Sequence, residues 1–527
     1  MTSDSPLLAP SDLPYGLPRY DRITPEQYLP AFEQAFAEHR REIGNITRVR
    51  SMATFENTMV PLERSGALLD RVARTFYTVS SADATDEIQR IEEQLAPLMS
   101  AHEDAIRLDG ALYVRIAHLH ENLDRLDLDD EQRYLAQRHY TEMTHAGAAL
   151  DEAAKTRLTE LNQRLATLTT TFEKQLLADT NDLAVVFDDA AELDGLSEGA
   201  LSAAAQAATD RGLEGKYVIT LTLFTGHPYL ANLTNRDSRR KIMDASRSRG
   251  SRGNADDNRA TLLEIVRLRA ERARLLGFST HAEYITDDQT ARTPEAVEAM
   301  LRRLASPAAA NARREQEALQ ATPGAPDPFA AHDWAFYTEK VRATTYDIDT
   351  AALRPWFEAE RVLQDGVFHA ASLLYGLRFT ERRDLPTYHP DVRVFEIHNE
   401  DGSALGLYLL DLYTRDTKRG GAWMNSIAVQ SELRGHAPIV VNNLNVPKPA
   451  AGKPTLLSLD EVTTLFHEFG HALHGLFATV TYPHFGGTAV FRDFVEFPSQ
   501  VNEMWILWAE VLDNYARHFE TGEPLDA

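Results

Sequence analysis

The stretch Thr463-Thr464-Leu465-Phe466-His467-Glu468-Phe469-Gly470-His471-Ala472-Leu473-His474 contains the pattern H-E-x-x-H. On a helix, residues i and i+4 share a face with Cβ atoms about 5–6 Å apart. His467 and His471 can therefore hold one tetrahedral zinc ion from the same side. Glu468, directly after the first histidine, is placed to act on the metal's water as a general base. The flanks predict a helix. Ser458 is a good N-cap, and Glu461 three residues later completes a capping box. Val462, Leu465, Phe466, Phe469 and Leu473 form an apolar stripe, and Gly475 stands where a C′ glycine ends a helix. The same pattern also fits an amphipathic helix that happens to carry two histidines, so the rest of the ligand set decides.

A catalytic zinc site needs a third protein ligand and keeps its fourth position open. His474 lies seven residues beyond His467, about 10 Å along a helix axis. It is too far to share a metal bound at about 2 Å, and reads as a packing residue or an outer partner. Glu496, 25 residues past His471, follows a loop at the start of a predicted second helix. It has a structural reading as well: Asp493-x-x-Glu496 is also a capping-box pattern. The ligand reading is preferred, with Asp493 capping alone. Gln500 and Glu503 share a helix face with Glu496 and are expected to orient the ligands.

These two segments carry a resemblance. Residues 466–475, followed by Asp493-Phe494-Val495-Glu496-Phe497-Pro498-Ser499-Gln500, resemble the thimet-oligopeptidase-like (M3) zinc metallopeptidases. Lys418-Arg419-Gly420-Gly421-Ala422-Trp423-Met424 is similar to the same family, and the wording of residues 494–500 with the loop Gly486-Gly487-Thr488-Ala489-Val490 most resembles its dipeptidyl carboxypeptidase branch. The resemblance is dense from Asp391 onward and diffuse before it. It implies one Zn²⁺ held by His467, His471 and Glu496, with Glu468 as base. It further implies a mainly helical, two-walled shell around a deep channel that admits short peptides and excludes folded proteins. The activity implied is release of C-terminal dipeptides. The alternatives are an M3 endopeptidase of oligopeptides and a zinc- and peptide-binding fragment with little or no turnover.

Composition narrows the class. The 527 residues include 79 acidic and 54 basic ones, a net charge of −25. That balance argues against a nucleic-acid or anionic-membrane partner, because binding phosphates takes a basic surface. With no cysteine in the chain, disulfides and thiolate ligands are excluded, which favours an open His/carboxylate metal site. Met1-Thr2-Ser3-Asp4-Ser5-Pro6 shows no basic n-region or apolar h-region. With no long apolar run either, a cytoplasmic location is expected.

Two regions are expected: residues 1–390, a mostly helical wall and bundle, and 391–527, a small β-sheet with the zinc-binding helices. Thr24-Pro25-Glu26-Gln27 opens the first helix, with Tyr28, Phe32, Ala35, Phe36, His39 and Ile43 on one face and His39 read as a packed or surface histidine rather than a ligand. Leu158, Leu161, Leu165, Leu168 and Phe172 step by 3, 4, 3 and 4, a seam for helix pairing. Residues 216–222 are the first with strong β character. The arginines of 246–253 read as local ion-pair partners rather than a phosphate site. Residues 392–398 alternate with period two, and 405–413 and 438–443 add strands, predicting a small antiparallel sheet beside the zinc helix. An edge strand there is suited to pairing with extended substrate.

After Gln500 one helix is expected from 501 to about 519, and the segment that supplies the family's oxyanion donor is not found beyond it. A missing C-terminal segment or subunit is therefore an expected partner, and apolar surface is expected to lie uncovered. Tyr482, His484, Tyr515 and His518 are the nearby groups, and none is assigned the donor's role.

Overall fold

The computed structural model describes residues 5–221, 227–346 and 352–525. Expectations that touch residues 1–4, Thr222 and residues 526–527 lie outside them. The architecture is mainly helical, with two small sheets.

The N-terminal helix Tyr28–Thr47 starts as read: Pro25 stands in the first turn, and Gln27 Oε1 accepts from the Thr24 N–H at 3.2 Å. Its buried face, including Phe32 and Phe36, packs on helix Ala67–Ala82, where Phe32 meets Phe76 edge-on at 5.7 Å. His39 Nδ1 sits 3.0 Å from His102 Nε2, a packed histidine as expected. The leucine seam lies on the 31-residue helix Glu152–Asp182, with Leu158, Leu161, Leu165 and Leu168 buried. Its partners are helices Asp86–Arg107 and Arg259–Leu275, Ile265 of the latter closing on Leu165 and Leu168. Within the arginine-rich run, Arg252 pairs with Asp179 and Asp182, while Arg249 donates to the Leu221 and Ser246 carbonyls and to Ser246 Oγ. Residues 217–219 form strand β2, antiparallel to β1 (Val185–Phe187).

The second sheet holds five strands: β3 (Arg378–Glu381), β4 (Arg393–His398), β5 (Ala404–Tyr413), β6 (Trp423–Ala428) and β7 (Ile439–Val446), in the order β3-β4-β5-β7-β6. It is mixed rather than antiparallel, because β5 and β7 run parallel from Leu407↔Ile439 onward. Residue alternation reports which face a side chain takes and says nothing of strand direction, so this pairing was invisible to the period-two reading. A buried lysine fixes it. Lys418 Nζ donates to Asp411 O, Tyr413 O and Leu444 O at 2.8, 3.1 and 2.5 Å, and to Asp411 Oδ1 at 2.9 Å.

Against this sheet lies the main core, which gathers Phe357, Leu363 and Phe368 with Phe395, Tyr408, Val440, Leu465, Phe466 and Phe469. On the N-terminal side, adjoining cavities of ≈ 680, ≈ 500 and ≈ 480 Å³ share Arg107 in their linings and run between helices 67–107 and the segments packed across from them. Among the described residues, no helix is long and apolar enough to cross a membrane.

Two expected helix ends move. The histidine helix runs Leu459–Leu476, one residue past Gly475. The single helix expected from 501 to about 519 is two pieces, Glu496–Glu503 and Ala509–Tyr515. The break turns Ile506 into the core, where its carbonyl accepts from the Tyr515 hydroxyl at 3.1 Å.

Candidate metal centre and active site

Helix Leu459–Leu476 begins with the reciprocal cap read from sequence: Ser458 Oγ accepts from Glu461 N at 3.2 Å, and Glu461 Oε2 accepts from Ser458 N at 2.7 Å. Val462, Leu465, Phe466, Phe469 and Leu473 are buried and press the helix onto β7. Gly475 serves that contact. A Cβ there would stand 2.6 Å from Met424 Cε and 2.8 Å from Val440 Cγ1. Asn442, buried in β7, donates Nδ2 to the Glu468 carbonyl at 2.7 Å and sets the helix's height over the sheet.

The opposite face meets helix Glu496–Glu503. Gly470 is the crossing point, since a Cβ on it would come within 2.7 Å of Ser499 Cα and 2.8 Å of Asn502 Cβ. Asn502 donates Nδ2 to the Phe466 carbonyl at 2.7 Å and locks the pair. Glu496 is the first residue of its helix, and the turn after it points its carboxylate at the histidines. Glu496 Oε2 lies 3.2 Å from His467 Nε2 and 3.1 Å from His471 Nε2. His474 takes no part; its Nδ1 is buried without a hydrogen-bond partner, consistent with packing. Asp493 does not cap the helix. Its carboxylate accepts from the Thr290 and Ala291 N–H groups at 3.1 and 2.9 Å and ties the approach loop to a neighbouring segment.

The outer contacts divide the sequence expectations. Glu503 Oε1 sits 2.6 Å from His467 Nδ1, which makes Nδ1 the protonated nitrogen and leaves the Nε2 lone pair facing Glu496. Gln500 is exposed instead. The place expected for it is taken by Ser499, whose hydroxyl donates to Glu496 Oε2 at 2.9 Å. Ser499, Asn502 and Asn442 escaped the sequence reading. Ser499 alone had a local signal, its i+3 spacing from Glu496.

The donors fit a zinc ion. Two imidazole nitrogens and one carboxylate oxygen lie mutually within 4.8 Å. The 3.1 and 3.2 Å edges are close to the ~3.3 Å separating donors that each sit about 2 Å from a tetrahedral centre. Burial works against charge on Glu496, yet Ser499 and the two imidazoles hold its carboxyl below the ordinary range. Burial likewise lowers the His471 imidazole, which favours its neutral, ligating form.

Glu468 is 5% exposed, and its Oε2 has no hydrogen-bond partner. Burial pushes its carboxyl up to about 7, with His467 pulling down and Glu496 pushing further up. A buried carboxylate left unpaired costs on the order of 1–3 kcal/mol or more. Here it stands next to the ligand cluster, which suits a group that exchanges a proton.

Tyr482, His484, Tyr515 and His518 are all engaged away from this cluster. Tyr482 accepts from Gln132 at 3.3 Å, His484 faces Glu142 at 3.1 Å, Tyr515 donates to Ile506, and His518 packs on Trp356.

Two imidazoles one helical turn apart, a glutamate delivered by a second helix and a buried unpaired carboxylate beside them make the donor set of an H-E-x-x-H metallopeptidase. Residues 229–527 match the family model described as peptidase family M3, and the chain belongs to that family. It is 42% identical over 525 residues to the dipeptidyl carboxypeptidase of Escherichia coli (strain K12), covering 99% of this chain and 77% of that protein. The dipeptidyl carboxypeptidase of Salmonella typhimurium is 42% identical over 528 residues, 100% of this chain and 78% of that one. Oligopeptidase A of Escherichia coli is 32% identical over 532 residues, 99% and 77% respectively.

Proposed function

We propose that this chain is a cytoplasmic zinc peptidase that shortens oligopeptides by removing C-terminal dipeptides, with His467, His471 and Glu496 as metal ligands and Glu468 as general base. The observation that carries the reading is the convergence of three donors beside a buried carboxylate oxygen without a partner. The 42% identity to dipeptidyl carboxypeptidases supports the product. When bound, zinc supplies Lewis acidity, which acidifies water and polarises the scissile carbonyl.

The residues do the rest. Glu503 holds His467 with its Nε2 toward the ligand cluster, and Ser499 holds the Glu496 carboxylate in line with both rings. Glu468 accepts the attacking water's proton at Oε2 and hands it to the leaving amine nitrogen, so the C–N bond breaks without releasing an unprotonated amide. Burial raises its carboxyl, which favours proton uptake, so that one group serves as both acceptor and donor. Strand β6 lies at the sheet's edge beside the histidine helix, where free main-chain groups would pair with an extended peptide whatever its side chains.

The similarity to oligopeptidase A favours a second reading, cleavage at internal bonds. Zinc-loaded chain incubated with an N-blocked pentapeptide, followed by mass spectrometry, separates the two. Dipeptide release that slows sharply when the C-terminus is amidated is expected; cleavage indifferent to amidation would give the endopeptidase. Glu468→Gln should lower turnover by about 10²-fold or more while zinc stays bound. Intact peptides with zinc bound stoichiometrically, and no effect of Glu468→Gln, would leave a binding fragment.

A further inference from the structure

We propose that Glu63, His139 and His484 form a second site for a divalent transition cation, separate from the H-E-x-x-H cluster, that pins the connection between its two ligand helices to the N-terminal wall. Each donor comes from a different element: Glu63 from helix Val60–Arg64, His139 from helix Asp130–Ala146, and His484 from the short turn Pro483–Phe485. Nothing local in the sequence brings them together, yet their ligand atoms all lie within 4.8 Å of one another. His139 Nε2 is 2.7 Å from Glu63 Oε1, and the two imidazole centroids are 4.5 Å apart. Glu63 is 4% exposed, and its second oxygen accepts from the His484 backbone N–H at 3.2 Å, which orients the carboxylate.

A further carboxylate borders the cluster on the His484 side. Glu142 Oε1 lies 3.1 Å from His484 Nε2 and is held in turn by Arg138, which also grips Asp288 through two bonds of 2.7 Å. Glu63 and Glu142 each turn a carboxylate oxygen toward an imidazole nitrogen, an arrangement that draws a cation, whether a metal ion or a shared proton. Two nitrogens with one or two carboxylate oxygens, and no thiolate, is a donor set for Zn²⁺ or Co²⁺ rather than for Mg²⁺ or Ca²⁺, which prefer all-oxygen shells. A cavity of ≈ 480 Å³ lined by Glu63, Arg138, His139, Glu142 and His484 gives an ion a way in.

Position gives the site a purpose. The turn at 483–485 lies between the histidine helix, which ends at Leu476, and Glu496. Fixing it to two N-terminal helices stiffens the path that delivers Glu496. The rival is a proton-bridged network of histidines and carboxylates with no metal.

The proposal stands apart from the catalytic reading and is tested without it. Full-length chain carrying His467→Ala and His471→Ala, stripped with chelator, is incubated with CoCl₂, desalted and analysed for bound metal and visible d–d absorption. One tightly held Co²⁺ per chain, displaced by Zn²⁺, is expected. Adding His484→Ala or, separately, His139→Gln should remove it while far-UV circular dichroism is unchanged. If one of these variants fails to fold, the other decides. Retention of no cobalt by the parent, or cobalt that persists in both variants, overturns the site in favour of the proton-bridged network or of adventitious surface binding.

Discussion

Gly470 shows how much of the site rests on one missing methyl group. A Cβ there would meet Ser499 Cα and Asn502 Cβ, atoms of a helix backbone and its root, and neither can swing aside. Gly470→Ala is therefore expected to part the two helices, at a cost of about 1–3 kcal/mol for the overpacking. Glu496 would move off the imidazoles with them. Thermal unfolding and zinc stoichiometry should fall together; full zinc occupancy with unchanged stability would show that the crossing is not fixed at this point. Glu503 acts through His467 rather than directly. Its removal in Glu503→Ala frees the ring to turn and should weaken zinc binding by about 10–100-fold, measured by competition with a chromogenic chelator. Stability should be nearly untouched, since Glu503 is 34% exposed.

At the scale of elements, helices are pinned to one another by buried charge as well as by leucine seams. Asp333 is fully buried and joins helix Ala331–Tyr346 to helix Arg236–Ser248 by accepting from Arg236 at 2.8 Å and Arg239 at 3.0 Å. Burial alone would raise its carboxyl, but the two guanidiniums outweigh that and hold it at about 2, against 3.8 for a free side chain. A depressed folded pKa adds stability that is complete above the unfolded value and is lost as pH falls through the folded one. The contribution, on the order of 2 kcal/mol, should be present at pH 5 and gone below pH 2. Asp333→Asn should lose it at every pH and, by stranding buried Arg239, cost about 3–5 kcal/mol. Denaturant titrations of both proteins across that range check it, and a parallel pair of acid-unfolding curves would refute it. The same elements show what the sequence disclosed. Caps at Thr24 and Ser458 and the seam from Leu158 to Leu168 depend on near neighbours in the chain, so their patterns were readable. His467, His471 and Glu468 were readable for the same reason, and Glu503 through helical spacing from Glu496. The parallel β5–β7 pairing, the break at 504–508, and the work of Gly470, Asn442 and Asn502 arise from contacts between distant segments, which no local period encodes.

For the molecule as a whole, exposed apolar side chains occur on several helices and again in the segment that starts at Glu496. Phe497 and Val501 on the Glu496 helix and Met504 and Trp508 in the break that follows it are all exposed, Met504 at 70%. Leu507, 69% exposed, lies beside them. Phe494 stacks on Phe497 at 5.6 Å and Trp505 meets Trp508 edge-on at 5.9 Å, yet Phe494, Phe497 and Trp508 keep much of their surface open. Exposed apolar side chains clustered in one segment favour association, while a net charge of −25 opposes it by mutual repulsion. Salt screens the repulsion and, for sulfate, strengthens apolar burial. The chain should therefore self-associate more as ionic strength rises, the opposite of a contact made by ion pairs. Sedimentation velocity at increasing protein concentration in low and high sodium sulfate measures this directly. Met504→Lys with Leu507→Lys should keep the chain monomeric where the parent associates, without disturbing zinc binding, since neither side chain touches the ligand cluster. A parent that stays monomeric throughout, or dissociates as salt is added, would show that this face is not adhesive.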